Sequence, residues 1–424
     1  MNAIAVGVDG MEPSLCSQWV NDGELPNIAS LMKEGVYGNA DCSSLVSAKQ
    51  WTNHFTGVTA EQHGITGFLK QEEIEHKRDD APSTRISLDA RKLINLSDIQ
   101  SKTYPELFAN AGLRVGIINP LPIWPPLRVA NGFCTSGMVT PPDANETVYP
   151  SDLDEELKKF DYKIDVQYGD RPYGFIDDKL FIDEKIDLEQ LRDDMFEVLE
   201  NRIRYTKHTI ESKELDFVYT LFKIIDIIQH AFWAHMNEDD VEFGDVILDS
   251  YKKVDEFVGW VRKNCPKTNI LMFGDHGFQA RRDPQFEFLH SIGYLIDTYI
   301  SLPYWFKEFY RNNLKSTSDV DLSEIDGITG DHSNPAFWLM AGPKVKSRGQ
   351  LDIAFEDITP TLHALVDEPI PNAYRGNPID DALTNTPSYE TVNLSVDRDD
   401  RTSVSDEVSD RLYNLGYAEM VEEG

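Results

Sequence analysis

Cysteine, positive charge and long apolar runs are all scarce in this chain of 424 residues. Its four cysteines (Cys16, Cys42, Cys134, Cys265) are widely spaced with no CxxC pair, so neither a zinc–thiolate site nor a disulfide framework is indicated. Buried, reduced thiols in a cytoplasmic protein are the expectation. No apolar run reaches the roughly 20 residues that span a bilayer. The opening stretch before Asp9 is too short and uncharged for a signal peptide and leads straight into a strand. Lys and Arg number 40 against 73 Asp and Glu, and the net charge of -33 opposes generic attraction to duplex nucleic acid or an anionic membrane. Any phosphate must then be held by local groups. Such acidity is also a habit of proteins that stay soluble in concentrated salt, where screening relieves the repulsion between like charges.

What is present is a globular composition, with 41% hydrophobic residues, enough to set the chain apart from disordered sequences. The length exceeds that of a usual compact domain, so one large domain carrying an insertion is expected. Ala3 to Val8 is a compact apolar run closed by Asp9-Gly10, the pattern of a buried parallel strand. Leu25 to Gly35 follows with Pro near its start, apolar residues at helical spacing and Gly at its end, predicting a helix.

The alternation recurs at Leu113 to Ile118, Phe217 to Phe222, Asn269 to Phe273 and Ala336 to Ala341. Strands alternating with helices predict an α/β fold, a doubly wound and mostly parallel sheet covered on both faces. Two stretches break the rhythm: charged Gln71 to Asp89, and Pro120 to Asp187, rich in Pro, Gly, Tyr and Asp. They are expected as insertions. Leu191, Met195, Val198, Leu199 and Ile203 form one apolar face of a helix from Leu188 to Glu211, and Asp357 to Leu365 reads as a closing helix. The expected organisation is a core of 1–119 and 188–384, an inserted cap at 120–187 and a polar tail at 385–424 that ends in an amphipathic stretch, Val408 to Tyr417.

Chemistry-bearing residues gather where these runs end. Asp226 and His230, four apart beyond the strand at Phe222, share one helix face and are placed to share a cation, although an isolated DxxxH is more often an exposed polar stripe. Gly274-Asp275-His276-Gly277 closes another apolar run, its glycines permitting a tight turn. His332 lies just before the last strand and alone would be an ordinary loop histidine. Ser47 opens a helical stretch, where a hydroxyl is ordinarily an N-cap, and a helix N-terminus also favours an anion beside it.

Taken together, Val8-Asp9-Gly10-Met11-Glu12-Pro13, Leu25-Pro26-Asn27-Ile28, Ser47 with Trp51-Thr52 and Thr56-Gly57, His63-Gly64-Ile65, Asp226 with His230, Gly274-Asp275-His276-Gly277 and Asp331-His332 resemble the alkaline phosphatase superfamily. Within it they are most similar to the type I phosphodiesterase and nucleotide pyrophosphatase branch. The resemblance implies an alkaline phosphatase-like core with an inserted cap, and two divalent metal ions. One ion falls to Asp226, His230 and His332; the other falls to Asp9, Asp275, His276 and the nucleophile Ser47. The mixed nitrogen and oxygen ligand sets suit zinc first, and also manganese or iron.

The implied activity is metal-dependent phosphoester hydrolysis of a small molecule through a phosphoserine at Ser47, with a phosphodiester as substrate class. The alternatives are a phosphomonoesterase or phosphotransferase of the same superfamily and, from another class, a catalytically silent metal-binding module. His54 and His63 are expected to be structural. Sulfatases carry Arg four residues after a modified Cys, whereas Trp51 and Ser47 stand at those positions, so sulfate ester hydrolysis is not expected. Phe68 occupies the position where nucleotide pyrophosphatases typically place a phosphate-binding Asn, which leaves Lys49, Gln50 and Lys70 as candidate phosphoryl contacts. Trp124, Tyr149, Tyr168 and Tyr173 are candidates to line a cap.

Overall fold

Ala3–Val8 (β1) is buried at all six positions, so it needs cover on both faces of its sheet. A computed structural model places it inside a ten-stranded sheet. The structure describes residues 1–68, 70, 94–140, 144–165, 174–176, 179–181, 188–236, 242–280, 329–346, 348–396 and 398. The expected insertion at 71–89, Pro141-Pro142, Tyr168, Tyr173 and the stretch 408–417 lie outside them.

The strands that follow are β2 (Val36–Asp41), β3 (Val115–Ile118), β4 (Gly132–Thr135), β5 (Val148–Tyr149), the hairpin β6 (Gly174–Ile176) and β7 (Lys179–Phe181), β8 (Phe217–Phe222), β9 (Asn269–Phe273), β10 (Gly277–Ala280), β11 (Gly330–Ser333), β12 (Ala336–Ala341), β13 (Gly349–Gln350) and β14 (Ile353–Ala354). A small pair, β15 (Ile370–Pro371) and β16 (Tyr389–Glu390), lies apart. The described helices are α1 (Pro13–Asp22), α2 (Pro26–Glu34), α3 (Ser47–Thr56), α4 (Ala60–His63), α5 (Tyr104–Asn110), α6 (Asp154–Lys159), α7 (Leu188–Ser212), α8 (Ile224–Phe232), α9 (Val246–Asn264) and α10 (Ile358–Val366).

The sheet runs β13-β2-β12-β9-β1-β8-β3-β4-β5, with β14 also beside β2. From β9 to β4 every ladder is parallel, as a βα alternation requires. The last long strand departs from the expected alternation, because β12 is antiparallel to both β9 and β2. The cause is local. The antiparallel pair β10–β11 stands beyond the C-terminal end of β9, and only Asn334 and Pro335 separate β11 from β12, so the chain re-enters the sheet from the end at which it left. Strand β2 was not expected, since Gly, Asn and Asp in Val-Tyr-Gly-Asn-Ala-Asp dilute the apolar signal. Gly38 there lets the Leu351 carbonyl approach so closely that a Cβ would collide with it.

Within the segment expected to cap the core, β4 and β5 extend the sheet edge. At the other end of the chain, the stretch expected as a polar tail makes tertiary contacts over residues 385–396 and at Arg398. Leu394 packs with Val58, Ile370 and Tyr374, and the Arg398 guanidinium donates to both oxygens of Glu106. Helix α8 is apolar around most of its circumference and is buried at all nine positions. It carries Asp226 and His230 into the interior at the C-terminal edge of the sheet.

Candidate active site

The seven residues singled out by sequence converge at the C-terminal ends of β1, β8 and β9, where open α/β sheets hold their ligands. Asp9 follows β1. Gly10 (φ +70°) turns the chain there, donating its N–H to Asp275 Oδ1 at 3.3 Å and accepting from Gln229 Nε2 at 2.8 Å. Asp275 and His276 follow β9, and His332 sits on β11, paired antiparallel with β10.

Ser47 is not the cap of α3, as a lone hydroxyl at a helix start would suggest. Val46 is the N-cap, and Ser47 is the first helical residue. Its Oγ instead lies 3.2 Å from His276 Nε2.

Two ligand groups can be traced. Around Asp226 Oδ1 stand His332 Nε2 at 3.1 Å and His230 Nε2 at 3.4 Å, with the two imidazole nitrogens 3.0 Å apart. Asp9, Asp275 and His276 present donor atoms within 4.8 Å of one another. His276 Nε2 lies 3.4 Å from Asp9 Oδ1 and 3.5 Å from Asp275 Oδ2, but also 3.8 Å from Asp226 Oδ1. The ligand atoms of Asp226, His276 and His332 likewise lie within 4.8 Å of one another. We assign His276 to the Asp9 group on its shorter contacts and regard it as the border between the two.

The ring orientations follow from backbone carbonyls. Nδ1 of His230 donates to Gly330 O at 2.9 Å, Nδ1 of His332 to Leu45 O at 2.9 Å, and Nδ1 of His276 to Gly277 O at 3.0 Å. A carbonyl only accepts, so each Nδ1 carries its proton and each Nε2 of a neutral ring turns a lone pair inward.

The electrostatics call for cations. Burial, reinforced by the charges of Asp9 and Asp226, pushes the Asp275 carboxyl well above the usual carboxylate range. Burial would also raise Asp226, but the charges and hydrogen bonds of His230 and His332 hold it well below that range. For His276, burial works downward and is outweighed by the neighbouring Asp9 carboxylate and the charge of Asp226. Asp9 Oδ1 and Asp275 Oδ2 are buried without a hydrogen-bond partner. Three buried carboxylates and three inward lone pairs fit divalent metal ions.

Residues 3–303 match a family model described as type I phosphodiesterase/nucleotide pyrophosphatase. The chain belongs to that family. It is accordingly an enzyme of a metal-dependent phosphoric ester hydrolase family. His332 lies beyond the matched stretch, so its meeting with Asp226 and His230 is known from the structure alone. A comparison with curated proteins finds no match. Similar solved structures include wild-type alkaline phosphatase PafA (13% identity, TM-score 0.48, covering 90% of this chain and 98% of that one). Human ectonucleotide pyrophosphatase/phosphodiesterase 5 gives 14% identity and a TM-score of 0.46, covering 91% and 100%. Phosphonoacetate hydrolase from Sinorhizobium meliloti 1021 gives 13% and 0.49, covering 86% and 95%.

Several supporting residues were given no role at the site by the sequence. Trp51 Nε1 donates to Asp9 Oδ2 at 3.2 Å. The Glu12 carboxylate accepts from Ser14 N through Oε1 and from Phe278 N and Ser333 Oγ through Oε2, tying the end of β1 to the β10–β11 pair. Gln229 accepts from the Tyr251 hydroxyl at 3.2 Å while gripping Gly10. Spacing alone does not reveal such partners, because they lie up to 321 residues apart in the chain.

Among the remaining candidates, Lys70 pairs with Asp98 at 3.2 Å, Lys49 is half-buried, Gln50 is fully buried, and Phe68 is packed in the core. His54 bonds to the Tyr104 hydroxyl and Thr359 Oγ1, and His63 to Asn53 and the Ile65 backbone. Trp124 is buried and donates to Glu146 O, while Tyr149 is half-buried.

Proposed function

We propose that this protein is a phosphodiesterase that cleaves small-molecule phosphodiesters through a phosphoserine on Ser47, with one metal ion held by Asp226, His230 and His332 and a second by Asp9, Asp275 and His276 beside Ser47. Zinc is the first expectation for a donor set of three imidazoles and three carboxylates. Bound cations supply the positive charge that lowers the Ser47 hydroxyl pKa and offsets charge on the phosphoryl oxygens.

The observation that carries the reading is the placement of Ser47. Its hydroxyl is free of capping duty, lies 3.2 Å from His276 Nε2, and stands at the N-terminus of α3, which favours an anionic phosphoryl group. Ser47 Oγ bonds to phosphorus as the bond to the leaving alcohol oxygen breaks; that oxygen takes the electron pair and a proton. Water then attacks phosphorus, releasing a phosphomonoester and restoring the hydroxyl.

The test compares bis-(p-nitrophenyl) phosphate with p-nitrophenyl phosphate, at low and molar salt, in wild type and Ser47→Ala. Preference for the diester and loss of turnover in Ser47→Ala are expected. Preference for the monoester would move the reading to a phosphomonoesterase, and transfer to an added alcohol to a phosphotransferase. Full activity in Ser47→Ala would remove the nucleophile.

A further inference from the structure

Gln50 is fully buried on α3, yet its Nε2 has no hydrogen-bond partner. A buried amide donor left unpaired is destabilising, so an unfilled one on the helix face that carries Ser47 calls for a ligand.

The direction of this amide follows from a chain of bonds that starts at a backbone N–H. Ile65 N donates to His63 Nδ1 at 3.1 Å, so the proton of that ring is on Nε2. His63 Nε2 therefore donates to Asn53 Oδ1 at 2.8 Å, which leaves Asn53 Nδ2 as the donor to Gln50 Oε1 at 3.3 Å. Ser43 Oγ donates to the same Oε1 at 3.3 Å. Gln50 Oε1 is thus occupied twice, and its NH2 group is turned away from both partners.

Position on the helix supplies the destination. Ser47, Gln50 and Trp51 stand at i, i+3 and i+4 and share one face of α3. Ser47 on that face meets His276, and Trp51 meets Asp9. Ser43, which braces the amide, is two residues from Leu45, whose carbonyl holds His332.

We propose that Gln50 is a further catalytic residue, donating from Nε2 to a non-bridging oxygen of the phosphoryl group held at Ser47. The inference rests on the site reading given above. It assigns to a neutral donor a task that a lysine or arginine would otherwise perform, which suits a site already supplied with cations.

The experiment uses the metal-loaded enzyme and measures inhibition by inorganic phosphate, kcat/KM on bis-(p-nitrophenyl) phosphate and metal content in Gln50→Met and Gln50→Glu. The second variant keeps an oxygen for Ser43 and Asn53 but adds a buried carboxylate, so the phosphate affinity of Gln50→Met carries the comparison, and its Tm and metal content report any structural role separately. Expected is a 10- to 100-fold weakening of phosphate inhibition, of about the size of one hydrogen bond to a charged group, with a matching fall in kcat/KM, unchanged metal content and the larger effect in Gln50→Glu. Phosphate inhibition within about twofold of wild type in Gln50→Met, or loss of metal in both variants, would overturn the proposal. Repeating the phosphate titration in a Ser47→Ala background separates the two readings. A fully active Ser47→Ala enzyme removes the nucleophile, whereas an unchanged phosphate affinity on altering Gln50 removes only the donor.

Discussion

His230 and His332 face one another through Nε2 atoms 3.0 Å apart, while their Nδ1 atoms are each committed to a backbone carbonyl, Gly330 O and Leu45 O. In neutral rings of that orientation two lone pairs meet, with the Asp226 carboxylate beside them. Such a contact is repulsive until a cation lies among the three groups, and the same holds for the unpartnered oxygens of Asp9 and Asp275.

Metal removal should therefore cost stability as well as activity. Dialysis against a chelator is expected to abolish hydrolysis and lower Tm by several degrees, and both should return with added zinc. Elemental analysis should find two ions per chain before dialysis. An unchanged melting curve after complete metal removal would contradict this account of the buried carboxylates.

Trp51→Phe keeps an aromatic ring in the core while deleting the N–H that reaches Asp9 Oδ2. The expected result is a stability loss of about 1 kcal/mol and metal affinity weakened roughly 10- to 100-fold, as for other partners of a ligand. Competition with a metal indicator reads the affinity. Wild-type affinity would show that Asp9 needs no such support.

Glu12 joins the end of β1 to the β10–β11 strand pair carrying His332, and Glu12→Ala leaves the buried Phe278 N–H unpaired. Removal should destabilise the protein by about 2–3 kcal/mol in denaturant titration and weaken metal binding, although Glu12 is not placed among the ligands. Unaltered metal binding would separate this strand pair from the site.

Stability should fall in mild acid. Burial lowers His54 to about 3 and His363 to about 4, and burial with the charge of Lys49 lowers His63 to about 4. In the unfolded chain such rings take a proton near 6.5. Between about pH 6.5 and 4 the unfolded state therefore binds protons that the folded state refuses, and stability declines as pH falls, by about 1.4 kcal/mol per pH unit for each histidine. In His363→Gln the loss between pH 7 and pH 5 should shrink by about 2 kcal/mol. An equal loss in both proteins would exclude His363 as a contributor.

The amino-acid sequence determined the strands that run through the core. Ala3–Val8, Phe217–Phe222, Asn269–Phe273 and Ala336–Ala341 are predominantly apolar runs with the same limits in the structure, because a strand buried on both faces holds few polar side chains. It also placed Asp9 and Asp275 just beyond strand ends, where an apolar run stops and the chain turns, whereas Asp226 comes from the first turn of α8. Tertiary structure alone decided that β12 runs antiparallel, that Val46 rather than Ser47 caps α3, and that Leu45, Gly277 and Gly330 orient the three imidazoles. A backbone carbonyl is the same group at every residue, so no motif announces which ones will hold a histidine. The unpaired donor of Gln50 was hidden for a related reason: it follows from where Ile65, His63 and Asn53 send their own hydrogen bonds.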